Sequence, residues 1–185
     1  MINKHTSFLP NKFKKKIFFL DLTFGLGGYI LQNIYHKLIA IDRNYYSIFL
    51  SRKKYKKNFF IFNIKIKKIF YLLKRFNFIN INIIIYDQGF NSCEIKNFFY
   101  KFKKKHYIKK KNFINKNFLS IFNKIIYFVN KNFFFIINTF NYYDFKKNYL
   151  FIKKINLKIK IVKLNSFEIS LNNSFKNSKM LIIYV

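Results

Sequence analysis

Glycine constrains this chain more than any other residue. There are only four glycines in the sequence, and three of them, Gly25, Gly27 and Gly28, fall within one turn. That turn sits in the stretch Ile17–Ile30, IFFLDLTFGLGGYI. An apolar run, Ile17–Leu20, leads into Asp21, and the glycines follow before the chain becomes apolar again at Tyr29. The pattern predicts a buried strand, a tight turn and the start of a helix. Glycine is used where the backbone takes positive φ or where something approaches it closely. A chain so sparing of glycine that concentrates it here has a ligand to accommodate.

The acids are the second guide. There are six: Asp21, Asp42, Asp87, Glu94, Asp144 and Glu168. Asp21 follows IFFL, Asp42 follows LIAI and Asp87 follows IIIY. Short continuous apolar runs are the mark of parallel strands buried on both faces. Ligands of open α/β sheets bind beyond the carboxyl ends of such strands. The three aspartates are therefore expected together on one edge of one sheet.

The segments between them fit that reading. Strands are expected at Leu38–Ile41, Asn58–Phe62 and Ile81–Tyr86, with helices at Tyr29–Tyr35, Tyr45–Lys56 and Ile66–Phe76. The last is amphipathic, with Ile66, Ile69, Phe70, Leu73 and Phe76 apolar and Lys67, Lys68, Lys74 and Arg75 between them. Alternation of strand and helix predicts βαβ units and a parallel sheet. Beyond Asp87 the pattern loosens. Glu94–Phe102 and Asn117–Val129 are helix candidates, and Lys103–Lys116 reads as a solvated loop. Phe133–Ile137, Leu157–Val162 and Met180–Val185 are strand candidates. The 185 residues suffice for one domain with a core of its own.

Lys and Arg number 37 against six acids, for a net charge of +31. A polyanion is the natural partner of such a surface, nucleic acid before an anionic membrane. The favoured residues, Ile, Phe, Lys, Asn and Tyr, also share AT-rich codons, a second source of the lysines. No apolar run reaches the length of a membrane span. The single cysteine, Cys93, cannot form an intrachain disulfide, as expected in a reducing compartment, and the basic N-terminus has no signal-peptide core. A cytoplasmic protein is expected. His5, His36 and His106 have no ligand spacing, so no metal is assigned.

Strand, glycine turn and an acid after the second strand describe a Rossmann-like nucleoside site. Asp42 follows Asp21 by about 20 residues, where a carboxylate accepts the ribose hydroxyls. A dinucleotide fingerprint needs a third glycine where Ile30 stands. Its absence favours a nucleoside cofactor without pyrophosphate, such as S-adenosylmethionine, over NAD.

DLTFGLGGYI, KLIAIDRN and IIIYDQGFNS together resemble the three signature segments of the small-subunit ribosomal RNA cytosine-N4 methyltransferases of the MraW/RsmH type. Those segments read roughly D-x-T-x-G-x-G-G-H-S, G-R-L-I-x-I-D-R-D and L-D-L-G-V-S-S. His5-Thr6 with Leu9 is similar to the family's opening H-x-P-V-L-L, and Asn173, Ser178 and Leu181 to its late N-P-R-x-R-S-x-x-L. Tyr29 stands where the family has histidine, Asn44 where it has a second aspartate, and Glu94 where it has glutamine.

The resemblance implies a class I methyltransferase fold: a Rossmann-like, mostly parallel central sheet with helices on both faces and an antiparallel C-terminal strand. It implies one domain over residues 1–185, with 95–125 a shortened remnant of the family's inserted helical region. It implies an enzyme that methylates the N4 amine of a cytidine in small-subunit rRNA near the decoding centre, with S-adenosylmethionine as methyl donor. By the same carry-over, Gly27, Gly28 and Tyr29 approach the methionine part of the cofactor and Asp42 holds the ribose. Ile66 lies by the adenine. Asp87 sits where cofactor and base meet and is the catalytic residue, with Glu94 nearby. The other reading is a basic RNA- or ribosome-binding protein on a methyltransferase scaffold that no longer turns over.

Overall fold

The computed structural model describes residues 17–25, 27, 37–52, 59–88, 116–139, 142–155, 157–163 and 179–184. The expected helices at Tyr29–Tyr35 and Glu94–Phe102 lie outside them, as does most of 95–125. The elements are β1 (Phe18–Asp21), β2 (Lys37–Asp42), α1 (Tyr45–Arg52), β3 (Phe59–Asn63), α2 (Ile69–Arg75), β4 (Ile81–Gln88), α3 (Lys116–Ile125), β5 (Val129–Thr139), α4 (Tyr142–Lys154), β6 (Lys158–Lys163) and β7 (Lys179–Tyr184). One-turn 3₁₀ segments precede α2 at Ile66–Lys68 and follow α3 at Ile126–Phe128.

The seven strands form one sheet in the order β3-β2-β1-β4-β5-β7-β6. β3, β2, β1, β4 and β5 are parallel to one another. β7 inserts between β5 and β6 and runs antiparallel to both. The order reverses at β1, where β2 leaves to one side and β4 lies on the other. In doubly wound sheets such a point opens a crevice at the carboxyl ends of the strands.

Successive residues of β1 alternate between two cores. Phe18 and Leu20 pack with Ile69, Leu72 and Leu73 of α2, Ile121, Phe122 and Ile125 of α3, and Phe145 and Ile152 of α4. Phe19 faces the other side, with Leu38, Ala40, Ile83, Ile85 and Ile48 of α1. Helices thus cover both faces. Phe19, Leu20 and Ile39 are wholly buried, each side chain worth about 1.5–3 kcal/mol of transfer free energy. Face-to-face stacking of Phe122 on Phe135, with ring centroids 5.1 Å apart, joins α3 to β5.

Local signals set the element ends. Asn44 caps α1: its Oδ1 accepts the Tyr46 N–H at 3.0 Å and the Ser47 N–H at 3.5 Å. Asparagine caps as well as aspartate, which accounts for its service at this position. α2 closes through Asn77, at φ 49°, while the Phe78 N–H reaches back to the Leu73 carbonyl at 2.9 Å. β6 is an edge strand, and its exposed Lys158 and Lys160 discourage pairing with another chain.

Two differences from the sequence reading stand out. The expected helix Ile66–Phe76 begins as a 3₁₀ turn and becomes α-helical only at Ile69. Helix α4 was not foreseen at all. Its apolar face, Phe145, Tyr149 and Ile152, has helical spacing, but YYDF directly after a strand and four interspersed lysines obscure it.

Candidate active site at the carboxyl edge of the sheet

Asp21, Asp42 and Asp87 all lie at or near the carboxyl ends of their strands, and these strands are neighbours. Asp21 is completely buried. Its Oδ1 accepts the Thr23 N–H at 2.9 Å, a two-residue turn that bends the chain off the strand. Its Oδ2 has no hydrogen-bond partner among the described residues. Burial pushes the Asp21 carboxyl up to about 8. The neighbouring Asp87 and Asp42 carboxylates raise it further, against the lowering effect of the Thr23 N–H. Asp21 therefore holds its proton at neutral pH.

Thr23 ties this turn to the next strand: its Oγ1 accepts the Asp87 N–H at 2.7 Å. The Leu22 N–H donates to the Ile85 carbonyl at 2.9 Å, and the Phe24 N–H to the Ile41 carbonyl at 3.0 Å. The turn is thereby pinned to β4 on one side and β2 on the other. Gly25 and Gly27 both take positive φ, 54° and 77°. Among the described residues, a Cβ on Gly25 would meet only the Thr23 carbonyl oxygen, at 4.0 Å. Its positive φ is a backbone reason for glycine there.

Asp42 organises the β2 end. Oδ2 accepts the Gly25 N–H at 2.6 Å and Oδ1 the Asn44 N–H at 2.8 Å, while its main-chain carbonyl accepts Asn63 Nδ2 at 2.9 Å. One carboxylate thus holds the glycine turn and the approach to α1 together. Each oxygen retains a second lone pair for a ligand hydroxyl.

The structure therefore brings Gly27, Asp42 and Asp87 to one edge. Ile66 opens the 3₁₀ turn after β3 and is partly buried against the core that α2 covers, an ordinary packing position. Gly28, Tyr29 and Glu94 lie outside the described residues. Asp21 was legible as a strand-end acid but not as a member of the site; its buried, unpartnered oxygen is a feature only the fold supplies. The carboxyl groups of Asp42 and Asp87, beside the buried Asp21, suit a ligand that carries positive charge and ribose-like hydroxyls.

Strand order, crevice and glycine turn define the fold of the class I S-adenosylmethionine-dependent methyltransferases. Solved structures agree. An rRNA methylase from Streptococcus thermophilus superposes with a TM-score of 0.58 at 10% identity, over 91% of this chain and 86% of that one. The plantazolicin methyltransferase BamL, solved in complex with a desmethyl-plantazolicin analogue and S-adenosylhomocysteine, superposes with a TM-score of 0.59 at 13% identity, over 94% and 79%. In sequence, the chain is 37% identical over 92 residues to the ribosomal RNA small subunit methyltransferase H of Buchnera aphidicola. That match spans 46% of this chain and 30% of the relative, in keeping with the family resemblance of the three strand-end segments. No protein-family model matches the chain. Among the described residues, no helix is long and apolar enough to cross a membrane.

Proposed function

We propose that this chain transfers a methyl group from S-adenosylmethionine to the N4 amine of a cytidine in small-subunit rRNA, near the decoding centre, as a cytoplasmic enzyme. The observation that carries the reading is the gathering of Asp21, Asp42 and Asp87 around a positive-φ glycine turn in a chain with only six acids. The similarity to a small-subunit rRNA methyltransferase supports the choice of substrate.

The residues suit the cofactor. Its sulfonium and ammonium are cations, and the Asp42 and Asp87 carboxyl groups at the same sheet edge would offer them oxygen acceptors. Asp42 would accept the ribose hydroxyls, and Gly27, Gly28 and Tyr29 would border the methionine part, with Ile66 and Glu94 at its margins. When bound, the cofactor supplies an electrophilic methyl group whose sulfur departs with the S–C bond electrons.

The cytosine N4 is a poor nucleophile because its lone pair is delocalised into the ring. Asp87, accepting one N4–H, would localise that pair and take up the proton released as the C–N bond forms. The Thr23 hydroxyl fixes the main chain of Asp87 at this edge. In-line placement of amine and methyl carbon supplies most of the rate. The target base leaves its stack to reach the edge.

Incubation of the full chain with small ribosomal subunits and radiolabelled S-adenosylmethionine, followed by nucleoside mass analysis, tests this. N4-methylcytidine should form, and Asp87→Ala should reduce its formation by a factor on the order of 10²–10⁴. No incorporation, or unchanged incorporation by Asp87→Ala, would overturn the reading; RNA binding without incorporation would favour the non-catalytic scaffold.

A further inference from the structure

The amino edge of the sheet, opposite the candidate active site, carries a cluster of rings and cations. Helix α2 crosses from the carboxyl end of β3 to the amino end of β4 and closes at Phe76. The turn through Asn77, at positive φ, brings Phe76 and Phe78 ring on ring, with centroids 5.6 Å apart and an interplanar angle of 22°. Phe78 is buried and carries its neighbours. The Phe60 ring of β3 leans on it at 5.5 Å, and the Phe18 ring of β1 meets it edge-on at 5.9 Å. Two cations lie against the same rings. Lys37 Nζ is 4.7 Å from the Phe78 centroid and 4.9 Å from that of Phe18, and the Arg75 guanidinium is 5.8 Å from that of Phe76. Phe60 is nonetheless 40% exposed and Phe76 49%. Their strand, β3, is an edge strand whose sequence FFIFN has no charge to guard it, whereas the other edge strand, β6, reads KIKIVK. Rings left in water with cations against them are the elements of a single-strand nucleic-acid surface: a ring face for a base, a charge for its phosphate.

We infer that Phe60, Phe76, Lys37 and Arg75 form a binding surface for single-stranded RNA, with bases stacked on the two exposed rings and backbone phosphates on the two cations. Charge complementarity selects a polyanion, and a second copy of this chain is disfavoured because each copy carries +31. The exposed rings select unpaired bases over a duplex, whose bases already stack on one another. Asp21, Asp42 and Asp87 all stand at the opposite edge, so none of these strand-end acids repels a phosphate here. Lys37 and Asp42 open and close β2, about 16 Å apart at the rise of an extended strand. The surface is therefore separate from the cofactor site, and it would hold a part of the substrate strand away from the target base. In its choice of RNA the inference rests on the proposed function.

Fluorescence anisotropy with a labelled oligouridylate of about 12 nucleotides tests it, on the full chain without cofactor. Salt of about 0.3 M weakens the general attraction of RNA to a basic chain. Phe76→Ala should there weaken binding by about five- to a hundredfold and leave the salt slope unchanged, the behaviour of a lost stack. Phe76→Leu keeps an apolar contact for Phe78 but offers no ring face, and should weaken binding in the same range. Lys37→Gln/Arg75→Gln should reduce the slope of log affinity on log salt by about 1.4, as expected for two single-strand phosphate contacts. Lys153→Gln/Lys160→Gln removes equal charge from exposed lysines of α4 and β6, toward the opposite edge of the sheet, and Tyr127→Ala removes an exposed ring outside the cluster. Each of these controls should change affinity by less than threefold. Melting temperatures show which variants are folded, and Phe76→Leu is the variant that best preserves packing. An inert Phe76→Leu would overturn the inference by removing the base platform. Equal losses from the two cation pairs would overturn it by assigning binding to net charge alone. Because no methyl transfer is read, these results stand apart from the outcome of the methylation assay.

Discussion

The centre and the flank of one sheet edge make opposite electrostatic choices. At the centre, where β1 and β4 adjoin, Asp21 is wholly buried and Asp87 stands near it. At the flank, beyond β3, exposed lysines line an open cleft. Burial makes a charge expensive, whereas water makes it cheap. A chain with a net charge of +31 gains lysines readily, so a lysine in water is weak testimony to function. An acid kept in a dry place against its own desolvation is strong testimony. Asp21 fails to ionise there at neutral pH, yet is retained within reach of two more carboxylates. The centre thus reads as a ligand site from its acids and its glycine turn together, whereas the flank has lysines and no such second feature among the residues that line it.

The contrast can be broken at several points. The largest effect on stability belongs to Asp21. Its folded-state pKa, about 8, exceeds the ordinary carboxylate value, so the folded chain binds a proton that the unfolded chain has lost. The sign follows: the penalty is absent below about pH 4, grows as pH rises, and is complete above about pH 8. Stability of the unliganded chain should fall across that window by up to about 1.4 kcal/mol per pH unit. Asp21→Asn keeps the acceptor for the Thr23 N–H and should flatten the slope. Denaturant unfolding at successive pH values measures it, and a parallel slope in the variant would show that Asp21 is not the titrating group.

A smaller effect belongs to the strut between turn and strand. Thr23→Val preserves shape but leaves the Asp87 N–H without the acceptor it has now, at a cost of about 1–3 kcal/mol. Methyl transfer should suffer as well, because Asp87 loses its fixed main chain. Unchanged stability together with unchanged activity would separate the turn from the role proposed for Asp87.

Much of this arrangement was legible in the chain itself. Parallel strands buried on both faces leave a trace that composition cannot hide, which is why IFFL, LIAI and IIIY read as strands and the aspartates after them as neighbours. The resemblance to a methyltransferase family anticipated the fold, including the antiparallel β7. Other features were hidden for definite reasons. Helix α4 has its apolar face diluted by lysine and aromatic residues that occur everywhere in this chain. The insertion of β7 between β5 and β6 is a tertiary pairing that no local pattern announces. The raised pKa of Asp21 depends on burial, which follows only once β1 is flanked on both sides. The cleft lined by Lys65, Lys67 and Lys68 could not be picked out because its lysines are three among many.

The central claim is that the acidic centre of this edge holds S-adenosylmethionine through Asp42. Isothermal titration of the cofactor into the full chain, and into Asp42→Ala at a temperature where both are folded, tests it most directly. The account predicts saturable binding with one site per chain, weakened at least tenfold in Asp42→Ala, which corresponds to about 1.4 kcal/mol or more. Absence of binding to the unaltered chain, or equal affinity in the variant, would contradict it.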